Sequence, residues 1–148
     1  MWTKSRSLLL SRIMTALFLS LLTAGAFGLP QLLRLYITFS GKSQLSMRPL
    51  SITLWVCVIP AFLALIRLGR MLKNITFGRV FVGDNVSALR TISWCCYLVS
   101  LIFFCFTFYY VLGLLLAILA AFMGLILRVL KNVFEQAIEL KEENDLTI

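Results

Sequence analysis

The chain has 148 residues, of which 61% are hydrophobic and only 14% are charged, and its mean hydropathy is +0.97. Soluble domains average about 25% charged residues, so this composition excludes an ordinary soluble domain and predicts an integral membrane protein. The net charge of +8 would suggest nucleic-acid binding in a soluble protein. In a membrane protein we instead expect basic residues beside anionic lipid headgroups, and we predict no direct contact with nucleic acid.

The first membrane helix is predicted at about residues 9–30. An uncharged run from Ile13 to Leu33 follows three basic residues and is long enough to span a bilayer. The small residues at 24–26 also fit the cleavage site of a signal peptide, and this alternative stays open beside the retained helix that we favour. Pro30 is predicted to end or bend the helix.

The second membrane helix is predicted at about residues 49–68. The segment Gln31–Arg48 before it carries three basic residues, a glycine and serines, and is assigned to the outside of the cell. Pro49 suits the first turn of a helix, where its missing N–H costs no hydrogen bond. Pro60 lies in the middle of the helix and predicts a kink there.

Residues 69–90 form the largest predicted cytoplasmic loop. Four residues near its end recur at helical spacing: Phe81, Asn85, Leu89 and Ile92. They predict a short amphipathic helix that leads into the third crossing. Asp84 or Asn85 is expected to cap its first turn.

The run from Thr91 to Leu127 contains no Asp, Glu, Lys or Arg and is bounded by Arg90 and Arg128. One straight helix of this length would measure roughly 55 Å, against a hydrocarbon core of about 30 Å. The run must therefore fold back, and a turn at residues 108–113, which include two tyrosines and Gly113, divides it into two crossings. The predicted third and fourth helices cover residues 91–109 and 112–140.

The fourth helix is predicted to continue beyond the membrane as an amphipathic cytoplasmic extension. Apolar residues repeat at helical spacing opposite charged ones up to about Leu140. The acidic tail at residues 139–148 follows. The segment could pack on the membrane, on the loop at 69–90 or on a partner helix.

The fold class is therefore all-α, a polytopic membrane protein with four transmembrane helices arranged as two hairpins in a single domain, residues 1–148. Segments assigned to the inside hold eleven of the fourteen Lys and Arg residues, and segments assigned to the outside hold three. This asymmetry predicts both termini in the cytoplasm, written N-in/C-in, and a multi-pass protein of the bacterial plasma membrane.

Catalysis is not expected, because the residue types that it needs are missing from the spans. The chain has no histidine, and its four cysteines lie inside apolar runs without C-x-x-C spacing. We therefore predict no catalytic residue, no metal site and no cofactor. The spans also lack the embedded carboxylate, lysine or arginine on which transporters and proton relays depend. Hydroxyl groups within the helices, such as those of Ser20, Thr23, Ser93, Ser100 and Thr107, are expected to bond to their own helix or a neighbour's.

Two segments resemble the YoaS-like family of small bacterial membrane proteins of unknown function. They are the C-terminal run Phe134–Ile148 and the stretch Phe81–Ile92, which contains Asn85, Val86, Leu89 and Arg90. Members are commonly encoded beside a small Xre-type helix-turn-helix regulator, so the resemblance implies such a regulator as a partner.

The leading hypothesis is a non-enzymatic membrane regulator whose cytoplasmic loop and tail bind a small helix-turn-helix transcription regulator in the cytosol. Acidic residues would supply charge complementarity, and Phe134 and Ile138 would be apolar anchors. The predicted partner-binding residues are Phe134, Glu135, Ile138, Glu139, Glu142, Glu143, Asp145, Phe81, Asn85, Leu89 and Arg90. An immunity or resistance protein against a peptide or toxin, and a small transporter or channel subunit, remain the alternatives, and a homo-oligomer is compatible with each.

Overall fold

The computed structural model describes residues 4–41 and 44–147, and these residues form four long α-helices joined by short connections. The helices are α1 (Lys4–Ser40), α2 (Gln44–Thr76), α3 (Gly83–Phe106) and α4 (Leu112–Leu146). All four are long and apolar enough to cross a membrane. The predicted all-α fold with four membrane-spanning helices is confirmed.

The first two helices are longer than the sequence suggested. Pro30 was expected to end or bend the first helix; the helix does not end there, because α1 continues through Pro30 to Ser40. Likewise α2 begins at Gln44, so that Pro49 lies inside it and not in its first turn. Backbone that must satisfy its own hydrogen bonds favours continued helix over loop, and a membrane helix tolerates proline better than a soluble one does.

The predicted outside segment Gln31–Arg48 is therefore mostly helical. Gly41 ends α1 with a positive φ of 63°, and its N–H donates a hydrogen bond to the carbonyl of Ile37 at 3.1 Å. A glycine in this left-handed conformation is a common way to stop a helix, because it has no Cβ to clash with the preceding turn. Lys42 and Ser43 lie outside the described residues.

The helices are arranged in an open row. In residues 4–41 and 44–147, each helix packs only against the helix before it and the helix after it in the chain. The contact between α3 and α4 is the most extensive, and α2 packs against α3, so the two hairpins are joined. Much apolar surface consequently remains on the outside of the row, as expected for a protein in lipid.

The uncharged run folds back on itself, but the turn that was predicted at residues 108–113 ends earlier, and Leu112 and Gly113 belong to α4. The helices end and begin on either side of residues 107–111, within the uncharged run. Gly113 was expected to relax the backbone at the bend, but it is a buried helical residue. A Cβ built on it would lie only 2.8 Å from the backbone oxygen of Phe103. The absence of a side chain at Gly113 allows α3 and α4 to approach closely, and the residue does not form the bend of the chain.

Small residues of α4 allow hydrogen bonds between the helices of this hairpin. The Ser93 hydroxyl donates to the carbonyl of Gly124 at 2.8 Å, and the Ser100 hydroxyl donates to that of Ala117 at 2.8 Å. The two pairs are seven residues apart on both helices, two turns of each, so one face of α3 stays against one face of α4. A Cβ on Gly124 would lie 3.1 Å from the ring of Tyr97.

The predicted function of the hydroxyl groups in the spans is confirmed. Ser93 and Ser100 bond to a neighbouring helix, as above, whereas Ser20, Thr23 and Thr107 donate to carbonyls of the preceding turn. In the described part of the chain these groups are therefore satisfied within the protein.

Candidate partner-binding surface

The connection between α2 and α3, residues 77–82, is held by one buried asparagine. The Asn85 side chain is fully buried, and its Nδ2 donates to the carbonyls of Arg79 at 3.0 Å and Val80 at 2.7 Å. Its Oδ1 accepts a hydrogen bond from Asn74 Nδ2 at 3.2 Å. One side chain thus links the end of α2, the connection and the start of α3. Gly78, with a φ of 75°, supplies the turn after α2.

The structure corrects the predicted capping of α3. The residue before the helix is Val82, and no side chain caps the first turn. Asp84 lies in that turn without such a bond, and Asn85 lies one residue further along the helix. From there its amide points back to the connection, where two carbonyls need donors, so it stabilises the connection and not the helix terminus.

The connection lies against α4 through an aromatic contact. The rings of Phe81 and Phe134 are 5.7 Å apart at an angle of 47°. Aromatic pairs at such distances contribute about 0.5–1.5 kcal/mol beyond their buried area. The predicted loop at 69–90 is shorter in the structure, because α2 runs to Thr76 and α3 begins at Gly83. The remaining connection meets the helix that was predicted from the end of the sequence.

Glu135 adds a charged contact to the same place. Its carboxylate lies 2.6 Å from Lys131 Nζ, one turn earlier on α4, and 3.7 Å from the Arg90 guanidinium on α3. The hydrogen bond from Lys131 lowers the pKa of Glu135, and the positive charges of Lys131 and Arg90 act in the same direction. Glu135 therefore stays ionised at neutral pH and joins α3 to α4.

Beyond this contact α4 projects away from the other helices. From Arg128 to Leu146 it extends by about 27 Å, whereas α3 extends by only about 10 Å from Arg90 to its start at Gly83. Every residue from Glu139 to Thr147 is exposed. We call residues 139–147 the projecting end of α4; it carries four acidic residues and one lysine.

The structure distributes the predicted partner-binding residues over three environments. Asn85 and Leu89 are buried, and Phe134, Glu135 and Ile138 are half-buried. The others are exposed: Phe81, Arg90, Glu139, Glu142, Glu143 and Asp145. The contacts of Phe81 with Phe134 and of Arg90 with Glu135 bring the two predicted segments together, so they form one continuous surface at this end of the protein.

Two features of this region were not found from the sequence. Asn74 bonds to Asn85 from eleven residues earlier, and nothing in the sequence pattern pairs them. Arg128 lies over the ring of Trp94, with 5.7 Å between the guanidinium carbon and the ring centroid. This second contact could have been predicted. Arg90 and Arg128 lie at the two ends of one uncharged run, and a hairpin must bring these ends close together.

Comparison with known proteins agrees with this architecture. The family described as "Protein of unknown function (DUF2975)" matches residues 10–148. The chain belongs to the DUF2975 family. The uncharacterized membrane protein YoaS of Bacillus subtilis (strain 168) is 29% identical over 110 residues, covering 66% of this chain and 69% of YoaS. No solved structure matches the chain significantly.

The DUF2975 assignment confirms the resemblance to the YoaS-like family. Together with the four apolar helices, it identifies the chain as a multi-pass membrane protein.

Proposed function

We propose that this protein is a membrane-bound adaptor that binds a small cytosolic protein through the projecting end of α4 and the connection at 77–82. The observation that carries the proposal is the exposure of every residue from 139 to 147 on a helix that extends well beyond α3. An exposed helix end contributes little to the fold, because burial against other elements provides most helix stability in proteins. Binding of a partner would explain why α4 extends so far beyond α3.

The negative charge of the projecting end of α4 favours a partner with a basic surface. The projecting end carries Glu139, Glu142, Glu143 and Asp145 against Lys141 alone. Two leucines, Leu140 and Leu146, are 65% and 86% exposed within it. Acidic residues attract a basic surface and accelerate its association, and exposed leucines supply the apolar contact that charge alone does not.

A small helix-turn-helix regulator has the required chemistry. Proteins that bind DNA carry a basic face that neutralises phosphates. An acidic helix that occupies this face competes directly with DNA, so binding at the membrane would sequester the regulator. The implied association of YoaS-like proteins with Xre-type regulators is consistent with this partner class.

The proposal requires an N-in/C-in orientation. The count of basic residues, eleven inside and three outside, supports it. In this orientation the α2–α3 connection and the projecting end of α4 both face the cytosol, and the turn between α3 and α4 faces the exterior.

Pull-down of the full-length tagged protein from membranes, with measurement of the helix-turn-helix regulator that is recovered with it, tests the proposal. The test variant combines Glu139→Gln, Glu142→Gln, Glu143→Gln and Asp145→Asn, because these changes leave the aromatic contact and the Glu135 contacts intact. We expect recovery of the regulator to fall at least tenfold. Lys141→Gln is the matched control on the same segment and should retain recovery. Equal recovery with the four-site variant would remove the projecting end from the mechanism.

A further inference from the structure

A small basic pocket opens between α3 and α4 at the end of their uncharged spans. Its volume is about 190 Å³. The lining residues are Arg90, Ser93, Trp94, Arg128, Lys131 and Asn132. Three of the six are cations, contributed by both helices, and the other three are polar or aromatic.

The pocket lies at the depth of the lipid headgroups. Arg90 and Arg128 are the first charged residues on either side of the uncharged run Thr91–Leu127, so they mark where these two helices leave the hydrocarbon. Trp94 is one turn further into the span and is 54% exposed. Tryptophan favours the membrane–water boundary, where its ring lies in the apolar region and its N–H in the polar one. Lipid phosphates occupy this same level.

Positive charge exceeds negative charge in the pocket. Glu135 is the carboxylate in ion-pair contact with the pocket cations, through Lys131 at 2.6 Å and Arg90 at 3.7 Å. This one carboxylate is shared by two of the three cations, so the pocket keeps an excess of positive charge, and Arg128 belongs to neither ion pair. The Lys131 side chain is only 16% exposed and donates to Asn132 Oδ1 at 3.2 Å, so its ammonium is held at the pocket wall. Arg128 is held over Trp94 by a cation–π contact.

We propose that this pocket binds the phosphate group of an anionic lipid headgroup. The guanidinium groups of Arg90 and Arg128 provide planar pairs of N–H donors suited to phosphate oxygens, and Lys131 adds a point charge. The excess positive charge selects an anionic lipid such as phosphatidylglycerol over a zwitterionic one. The position of the pocket at headgroup level makes a lipid the occupant, since its acyl chains can remain along the apolar outer face of α3 and α4.

Glu135 makes the proposal testable in both directions. Its carboxylate competes with a phosphate for Lys131 and Arg90, so its neutralisation should strengthen lipid binding. Neutralisation of Arg128 and Lys131 should weaken it, by about fivefold for each cation close to the headgroups. A simple loss of folding weakens binding in every variant and cannot produce the increase expected for Glu135→Gln.

The test measures quenching of Trp94 fluorescence by brominated lipids in the full-length protein. Trp2→Phe and Trp55→Phe leave Trp94 as the single tryptophan. The protein is reconstituted in phosphatidylcholine vesicles that contain the same mole fraction of brominated phosphatidylglycerol or brominated phosphatidylcholine. The ratio of the two quenching efficiencies gives the preference for the anionic lipid and cancels differences in intrinsic emission.

We expect a clear preference for phosphatidylglycerol, nearly abolished by Arg128→Gln with Lys131→Gln, and increased by Glu135→Gln. Lys141→Gln removes the same charge from α4 about 20 Å beyond Arg128 and should leave the preference unchanged. Equal quenching by both lipids, or a preference that persists in the double variant, would overturn the proposal. Loss of the preference in inorganic phosphate, but not in sodium chloride of equal ionic strength, would show that the pocket takes free phosphate instead of a lipid.

Discussion

Replacement of Asn85 by aspartate should release the connection between α2 and α3. The two side chains have the same shape, but a carboxylate cannot donate hydrogen bonds to the carbonyls of Arg79 and Val80. Asn85 makes both of these bonds from a fully buried position. The variant also sets a negative charge against two carbonyl oxygens, so the substitution changes the hydrogen bonding of this connection and almost nothing of its packing.

The magnitude follows from the bonds that are lost. A hydrogen bond within a protein contributes about 1 kcal/mol net, so the loss of two lowers the free energy of opening of the connection by at least about 2 kcal/mol. This corresponds to a roughly thirtyfold larger open population. Asn74→Ala removes only the bond from Asn74 to Asn85 and should cost about 1 kcal/mol, or roughly fivefold.

Limited trypsin digestion of the detergent-solubilised protein measures this population. Arg79 is exposed, but its carbonyl is held by Asn85, so cleavage after Arg79 requires the connection to open. When opening is fast relative to cleavage, the cleavage rate follows the open population. We expect the rate at this bond to rise about thirtyfold in Asn85→Asp and about fivefold in Asn74→Ala. The control Asn144→Ala, on the projecting end of α4, should leave it unchanged. An unchanged rate in Asn85→Asp would refute the function given to this side chain.

Three further predictions concern the packing and the charges of α4. Gly124→Leu should lower the free energy of unfolding by about 1–3 kcal/mol, because even a Cβ there approaches a ring of α3 to 3.1 Å. Gly25→Leu, where nothing lies within 4 Å of the added Cβ, should have little effect in the same detergent unfolding assay. Ser93→Ala removes a hydrogen bond to α4 and should cost about 0.6 kcal/mol in that assay; no loss would mean that the bond is not formed. The difference in stability between the native protein and Glu135→Gln should be present at neutral pH and disappear below about pH 4, because the hydrogen bond from Lys131 lowers the pKa of the folded carboxyl. A difference that grows as the pH falls would have the wrong sign.

Much of the fold could be predicted because backbone in lipid must satisfy its own hydrogen bonds, which restricts the spans to helices of a known length. The uncharged run from Thr91 to Leu127 is too long for one crossing, which alone requires the hairpin and locates its turn. The helix limits could not be read in the same way. The uncharged run ends at Arg34, but the backbone of α1 continues to Ser40, because a change from apolar to polar side chains does not end a helix.

The candidate site was predictable only in part. Helical spacing correctly placed Asn85, Leu89 and Ile92 on one buried face, but Phe81, the fourth residue of the pattern, is exposed in the connection before α3. The partners of the Asn85 amide depend on the path of the connection at 77–82, which helical spacing does not specify. Packing of the α4 extension on the loop was one of three options from the sequence, and the contact of Phe81 with Phe134 could not be chosen among them because it depends on the register between α3 and α4.

The alternative of a channel or transporter subunit predicts a wet path lined by hydroxyl groups. In the described residues Ser93 and Ser100 instead bond across the interface of α3 and α4, and only consecutive helices pack together. This arrangement gives the hydroxyl groups a structural function.

The orientation of the projecting end of α4 is the central claim, because a cytosolic partner can reach it only from the inside. A cysteine introduced by Glu143→Cys, with the four native cysteines replaced by alanine, can be labelled with a maleimide that does not cross membranes. A second protein, with Tyr109→Cys in the exposed turn between α3 and α4, reports the opposite side. We expect residue 143 to be labelled only after the cells are opened, and residue 109 to be labelled in intact cells. Labelling of residue 143 in intact cells would contradict the account.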